Sequence, residues 1–416
     1  MRILILSNIF PPGFIGGYEL GAYEVAKGLQ QNGHRVRVMT SPYFLENGAL
    51  EFELNVERTL QCATLEHEIL PPDGFRRAYY NFHNIRVIGE ALRKFKPDVV
   101  LAFNLHGLGA ISIVQFLQRL RVPFLLYLMD NVFSDVETAS RLHRAYESIF
   151  GRLEFANSTR CLGMSRNIVR EVEQTVNSPL GEVDYVPGWV HTEMLSGREL
   201  HYHRNGVTRF VFCSRVAPHK GTDVMLSAAQ QLVRLGHSDF KIDVYGSGQV
   251  AQFMQSVQSL GLGHIVAYKG LLQKQEILPA LANYDALLFP TWEREAFGFV
   301  ASEAASAGAL PIMTAGIGAS EWFLDGIDCL KISRNPASLR AAMSLVMSWT
   351  DEELINVRKR AMNTGWENFE FSNWLKLIEA RCKQLAQEYL RRSDTAVCRA
   401  ESSFLLLSSL VRESLQ

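Results

Sequence analysis

The sequence has no long hydrophobic run, no surplus of charge of either sign and no cysteine pair at metal-ligand spacing. Each absence removes a class of protein. No stretch approaches the ~18 apolar residues of a membrane-spanning helix. The N-terminal run Ile3 to Leu6 is short and is cut by Pro11-Pro12, so it does not read as a secretory leader. A cytoplasmic location is expected, at most peripheral to the inner membrane face. Lys and Arg number 42 against 43 Asp and Glu. That balance argues against a nucleic-acid partner held by bulk charge. The six cysteines form no CxxC and have no nearby histidine at ligand spacing, so free thiols in a reducing compartment are expected. Asp-x-Asp is absent, and so is the G-x-G-x-x-G fingerprint of a nicotinamide or flavin site.

What is present is ordinary globular composition, 47% hydrophobic and 20% charged, over 416 residues. That length suggests two or three domains. Ile3 to Leu6 reads as a parallel strand buried on both faces. A helical pattern from Leu20 to Leu29 follows, then Gly33 as a stop and a strand from Arg35 to Thr40. The alternation continues through strands at 99–103, 123–128 and 160–163, with helices near 110–120, 138–155 and 166–175. Residues 191–207 read as a linker. The pattern then restarts with strands at 209–213, 241–245, 265–269, 286–289, 310–313 and 329–332. Helices at 336–348, 351–362 and 371–392 close the folded part. This predicts α/β architecture with two Rossmann-like domains facing each other across a cleft, at 1–190 and 191–370. The helix 371–392 is expected to return to the first domain through Trp374, Leu375, Leu377 and Ile378. A tail of 393–416 remains.

Three segments carry chemistry. Gly13 to Gly17 lies between the first strand and helix, where a glycine pair lets backbone approach a ligand. Ser214 to Gly221 places Arg215 and Lys220 in a strand-to-helix loop, a position suited to a diphosphate without a metal. Glu295-Ala296-Phe297-Gly298-Phe299-Val300-Ala301-Ser302-Glu303 sets two carboxylates eight positions apart around a helix start. The two acids can reach different hydroxyls of one ligand. The stretch 75–96 mixes aromatics and cations; it reads either as an ordinary amphipathic helix or as a rest for an anionic membrane or lipid-linked acceptor.

These segments, with Gly33-His34-Arg35-Val36, Asn104-Leu105-His106-Gly107-Leu108, Pro290 to Gly298, Glu303-Ala304 to Gly308 and Asp325-Gly326, resemble the retaining glycosyltransferases of family 4 in the family's order. The resemblance covers roughly residues 1 to 390. It implies the GT-B fold and a UDP- or GDP-sugar donor held mainly by the C-terminal domain. By that likeness Arg215 and Lys220 bind the diphosphate, Glu303 the ribose and Glu295 the donor sugar. The backbone of Phe297, Gly298, Phe299 and Val300 lies against sugar and phosphates, and Gly270 and Leu271 meet the base. Gly16 and Gly17 close over the diphosphate. The acceptor, a glycan, glycolipid or small molecule, lies near Tyr18, Asn104 and His106. No metal or other cofactor is implied. The likeness also implies same-face attack, with the leaving phosphate helping to take the acceptor proton. Two departures stand out: Met129-Asp130 where the family usually has His then Asp, and Gly316 to Glu321 where it favours a shorter Gly-Gly-x-Pro-Glu. Three consequences of the missing histidine are open: Asp130, Asn131 or His106 substitutes for it, the donor choice differs, or activity is weak. A nucleotide-sugar epimerase and a non-catalytic nucleotide-sugar-binding protein are the alternative readings.

Overall fold

A computed structural model describes residues 1–13, 17–42, 54–63, 75–155, 160–195, 200 and 205–392. Gly16, the histidines of the linker (His201 and His203) and the tail 393–416 lie outside the described residues. The chain divides into two compact units, Met1–Val186 with Leu375–Gln416, and Pro187–Trp374.

The first unit carries β1 (Arg2–Ser7), α1 (Gly17–Gln31), β2 (Arg35–Thr40), β3 (Asn55–Arg58), α2 (Phe82–Phe95), β4 (Val99–Asn104), α3 (Ala110–Arg119), β5 (Phe124–Leu128), α4 (Arg141–Phe150), β6 (Arg160–Gly163), α5 (Arg166–Val176) and β7 (Val183–Tyr185). Among the described residues its strands form one parallel sheet in the order β3-β2-β1-β4-β5-β6-β7. Ile3 to Leu6 are wholly buried. Burying each such side chain stabilises by ~1.5–3 kcal/mol, which explains why an unbroken apolar run becomes the central strand. Sharp starts come from side-chain caps. Asn81 accepts from the Asn84 N–H before α2, and Ser165 accepts from the Ile168 N–H before α5.

The second unit carries β8 (Thr208–Cys213), α6 (Thr222–Arg234), β9 (Phe240–Tyr245), α7 (Val250–Ser259), β10 (Val266–Gly270), α8 (Lys274–Leu281), β11 (Ala286–Phe289), α9 (Phe299–Ser306), β12 (Leu310–Thr314), β13 (Leu330–Ile332), α10 (Pro336–Ser348) and α11 (Asp351–Phe369). Its parallel sheet runs β10-β9-β8-β11-β12-β13. In both sheets the chain winds outward one way from the first strand and then returns to its other side. The switch points are therefore β1/β4 and β8/β11, where ligands of such sheets bind beyond the carboxyl ends.

The last helix, α12 (Phe371–Arg392), begins in the second unit and continues in the first. Ile378 and Cys382 are buried on it. Arg381 pairs with Asp184 and Glu388 with Arg160. Two of the predicted contacts differ. Leu377 is exposed, and the Trp374 indole donates to the Pro187 carbonyl and packs on Trp189, within the second unit. The edge strands β3 and β7 have no counterpart in the sequence reading. The helix predicted for 351–362 runs on to Phe369, started by a Thr350/Glu353 capping box.

Candidate active site

The second unit's switch point is built by loops that follow β8 and β11. After β8 the chain passes Ser214 to Ala217 and tightens into a 3-10 turn, Pro218–Lys220, before α6. Gly221 sits at φ +88°, and a Cβ there would come within 2.1 Å of the Pro290 carbonyl oxygen. Only glycine lets the start of α6 approach the end of β11 this closely. The loop is braced on three sides. Val216 donates to Ser247 (2.8 Å) and accepts from Gln249 (2.7 Å), in the loop after β9. The Trp292 N–H donates to the His219 carbonyl at 3.0 Å. Arg334, from the loop after β13, donates to the Pro218 carbonyl at 2.6 Å.

The Lys220 ammonium donates to a carboxylate oxygen of Glu295, forming an ion pair between the β8 and β11 loops. Thr291 donates to the same oxygen at 3.0 Å, and Thr314 donates to the Thr291 carbonyl at 2.7 Å. Glu295 is therefore held by β11 and β12 together. Behind it Gly298, at φ +94°, starts α9, and a Cβ there would stand 2.6 Å from the Phe289 ring. The Phe297 and Phe299 rings pack away into the unit, Phe299 edge-on to Trp189. The backbone of Phe299 and Val300 opens the first turn of α9, with Phe297 just before its N-cap Gly298, and the unpaired N–H groups of such a turn favour negative charge.

Electrostatics place the remaining candidates. Burial depresses the His219 imidazole, and the charges of Lys220, Arg215 and Arg334 depress it further. His219 thus reports three cations around one turn. The Cys213 thiol at the end of β8 is pushed up to about 12, by burial first and then by the Glu303 carboxylate. Glu303 therefore lies close to the carboxyl end of β8. The Gly270 carbonyl accepts from Gly246 (2.9 Å), tying the loop after β10 to the loop after β9, and Leu271 is exposed. Arg334, Thr291 and His219 were not singled out from the sequence. Their roles depend on adjacency between strands far apart in the chain, for which no local spacing exists.

The first unit's switch point is wired differently. Arg58 of β3 donates to the Phe10 and Pro11 carbonyls, fixing the loop after β1. Gly17 is the exposed first residue of α1. The Tyr18 hydroxyl donates to the Tyr127 carbonyl (2.7 Å) and accepts from the Met129 N–H (3.1 Å). Burial pushes its phenol upward, so it stays protonated. Tyr18 thus positions the loop after β5. Asn104 ends β4 and accepts from the His106 N–H at 3.0 Å. His106 Nε2 lies 3.1 Å from Asp135, which also pairs with Arg77 at 3.2 Å. Asp130 accepts from the Asn131 N–H at 2.7 Å. The aromatics of 75–96 are largely core: Tyr79 packs on Tyr146 and Tyr80 on Phe150. Among the described residues no helix is long and apolar enough to cross a membrane, and no group of three or more His, Cys, Asp or Glu is placed to hold a metal ion.

Comparison with known proteins agrees with this architecture. The family model of glycosyl transferases group 1 matches residues 200–363, and that of glycosyltransferase family 4 matches residues 15–194. An uncharacterized glycosyltransferase of Methanocaldococcus jannaschii is 23% identical over 88% of this chain and 95% of its own length. A glycosyltransferase structure from Rickettsia africae superposes with a TM-score of 0.70 at 18% identity, covering 92% of this chain and 98% of that one. A structure of Anabaena HepE in complex with UDP and glucose gives 0.64 at 17% identity, covering 92% of this chain and 100% of that one. Two doubly wound parallel sheets, charged loops at one switch point and both family matches lead to one conclusion: the chain belongs to the group 1, family 4 glycosyltransferases and has their GT-B fold.

Proposed function

We propose that the protein is a retaining, metal-independent transferase. It moves a hexosyl unit from a nucleotide-diphosphate sugar, UDP- or GDP-linked, to an acceptor hydroxyl. The Lys220–Glu295 ion pair across the second switch point carries this reading. In the free protein the two charges satisfy each other. A bound donor replaces that contact on both sides: its diphosphate takes Lys220 and Arg215, and its sugar hydroxyls take Glu295. The ribose hydroxyls fall to Glu303, beside the end of β8, and the base meets the backbone at Gly270 and Leu271. The α9 N-terminus adds fixed N–H dipoles toward the phosphates. The likeness to a fold described with UDP and glucose supports uridine as the first base to test.

The reaction balances within this site. The bond between the anomeric carbon and the phosphate oxygen breaks, and its electrons go to the nucleoside diphosphate. Arg215 and Lys220 stabilise the charge that develops there, in place of a metal. The acceptor oxygen attacks from the same face, and its proton passes to the departing phosphate oxygen. By the family likeness, Asn104, His106 and Asp130 serve the acceptor, and Gly16 and Gly17 the diphosphate. Tyr18 acts by holding the Met129 backbone.

The test is transfer of label from a panel of UDP-, GDP- and ADP-sugars, with the anomeric configuration of the product read by NMR and excess EDTA as one arm. Retained configuration and EDTA-insensitive turnover are expected. An inverted product, or activity abolished by EDTA and restored by a divalent ion, overturns the reading. A freed epimeric nucleotide sugar without any acceptor would support the epimerase instead.

A further inference from the structure

The second unit carries another concavity, of about 250 Å³, on the face of its sheet. Its lining comes from the first halves of β8 and β9, the turn before β10, β10 itself as far as Lys269, and Tyr284 before β11. The candidate active site follows the opposite, carboxyl ends of these strands. On this face the side chains of Arg209, Lys241 and Asp243 point outward, while Phe210, Ile242 and Val244 are wholly buried on the other.

Register sets the chemistry. Arg209 and Lys241 are direct partners in the parallel β8/β9 ladder. Neighbouring strands lie ~4.8 Å apart, so two like charges stand side by side, an arrangement that costs stability unless an anion lies between them. The lining offers a single carboxylate, Asp243, and two other lining residues already engage it: Tyr284 donates to it at 2.9 Å and Lys269 lies 3.7 Å away. Lys241 donates to the His264 carbonyl at 2.6 Å, which pins its stem and leaves two of its three N–H groups. Among the described residues nothing forms a side-chain hydrogen bond or ion pair with the Arg209 guanidinium; only its backbone is engaged, by Asp285. A planar five-donor fork beside a point charge suits a phosphate. The volume lies below the ~300–1,000 Å³ of pockets for drug-sized ligands, so the occupant is small.

We infer that this pocket binds a phosphate group, either inorganic phosphate or the phosphate of a small monoester. The inference stands independently of the donor assignments. Equilibrium dialysis of the full chain with radiolabelled inorganic phosphate and radiolabelled glycerol 3-phosphate tests it, alongside the Arg209→Gln, Lys241→Ala and Lys220→Ala variants. Both altered pocket residues are exposed, so each variant keeps its core. The expected result is saturable binding that weakens at least tenfold in Arg209→Gln and in Lys241→Ala and is unchanged in Lys220→Ala. Tighter binding of glycerol 3-phosphate assigns the site to a monoester; equal binding assigns it to free phosphate. Absence of saturable binding, unchanged affinity in both pocket variants, or a loss confined to Lys220→Ala overturns the inference.

Discussion

The two sheets use one device at the amino ends of their central strand pairs, β1/β4 and β8/β11, and bury it to different depths. In the first unit Asp98 precedes β4; its carboxylate accepts from the Arg2 N–H at 2.7 Å, and its own N–H donates to the Arg2 carbonyl at 2.8 Å. In the second unit Asp285 precedes β11 and makes the same two bonds to Arg209, at 2.7 and 2.8 Å. The difference is the counter-ion. Asp98 pairs with the side chain of Arg2 itself, with the two side chains 36% and 43% exposed. Asp285 pairs with Arg358 of α11, and both side chains are essentially inaccessible, at 0% and 2%. Arg358 also donates to the Gly308 carbonyl. The clamp thus joins strand to strand in the first unit, and strand, helix and loop in the second. That added bracing lies at the amino ends of β8 and β11, the edge of the sheet opposite the loops that carry Lys220 and Glu295.

The sharpest test of this contrast is Asp285→Asn. The amide keeps the bond from the Arg209 N–H but leaves the Arg358 guanidinium buried without its charge partner. Breaking a buried pair on one side costs ~3–5 kcal/mol. Urea unfolding, read on the transition of the second unit, should show a loss of that size. Asp285→Asn/Arg358→Met should recover much of it, because an apolar replacement of both partners removes the stranded charge. Equal stability of Asp285→Asn and the parent protein would dissolve the comparison.

Next in size is an effect on turnover. Lys220→Ala removes a cation that the proposed chemistry needs at the leaving phosphate. A unit-charge contact near 4 Å is worth ~4 kcal/mol at an effective dielectric of ~20, roughly a thousandfold in rate if it is expressed only in the transition state. Steady-state kinetics should show a fall in kcat approaching that limit, with the fold intact. Near-normal kcat would remove Lys220 from the chemistry. Donor binding should also shift His219. Its imidazole is depressed by burial and by the Lys220, Arg215 and Arg334 charges. A bound diphosphate offsets those cations, so the imidazole pKa should rise, with proton uptake visible by NMR titration.

How much of this was readable in advance depends on the range of each interaction. Ile3 to Leu6 and Ala286 to Phe289 announce themselves because strands buried on both faces must be apolar throughout. Asn55–Arg58 and Val183–Tyr185 lie at sheet edges, are short and are partly exposed, so no pattern marks them. Arg215, Lys220, Glu295 and Glu303 were legible as charged residues at strand-to-helix junctions. The pairing of Lys220 with Glu295, 75 residues apart, was not. Neither was the link of His106 to Asp135 and Arg77, which joins three separate segments of the chain. The roles of Gly270 and Leu271 came from the family likeness alone.

The exposed clamp should matter far less. Asp98→Asn removes an ion pair open to solvent, worth ~0–1 kcal/mol, and keeps an acceptor for the Arg2 N–H. Its urea midpoint should sit close to that of the parent protein. A loss as large as that from Asp285→Asn would show that depth of burial does not distinguish the two units.

The smallest effect belongs to Glu379, where α12 meets the turn between α1 and β2. Its carboxylate is held down to about 2, by Lys383 first, against the desolvation cost of burial and with further hydrogen bonds from Asn32 and His34. The folded state therefore binds this proton less readily than the unfolded chain, whose value is near 4.5. The stabilisation is complete above pH ~5, declines as pH falls from there, and is gone below about 2, where both states are protonated. Glu379→Gln should flatten the acid limb of the stability curve between those limits and change little at pH 7 beyond a small constant loss. Since Lys383 and Glu379 are partly exposed, salt should shrink the difference. An unchanged acid limb in the variant would mean that the last helix is held on the first unit by its apolar face, Ile378 and Cys382, rather than by this charge.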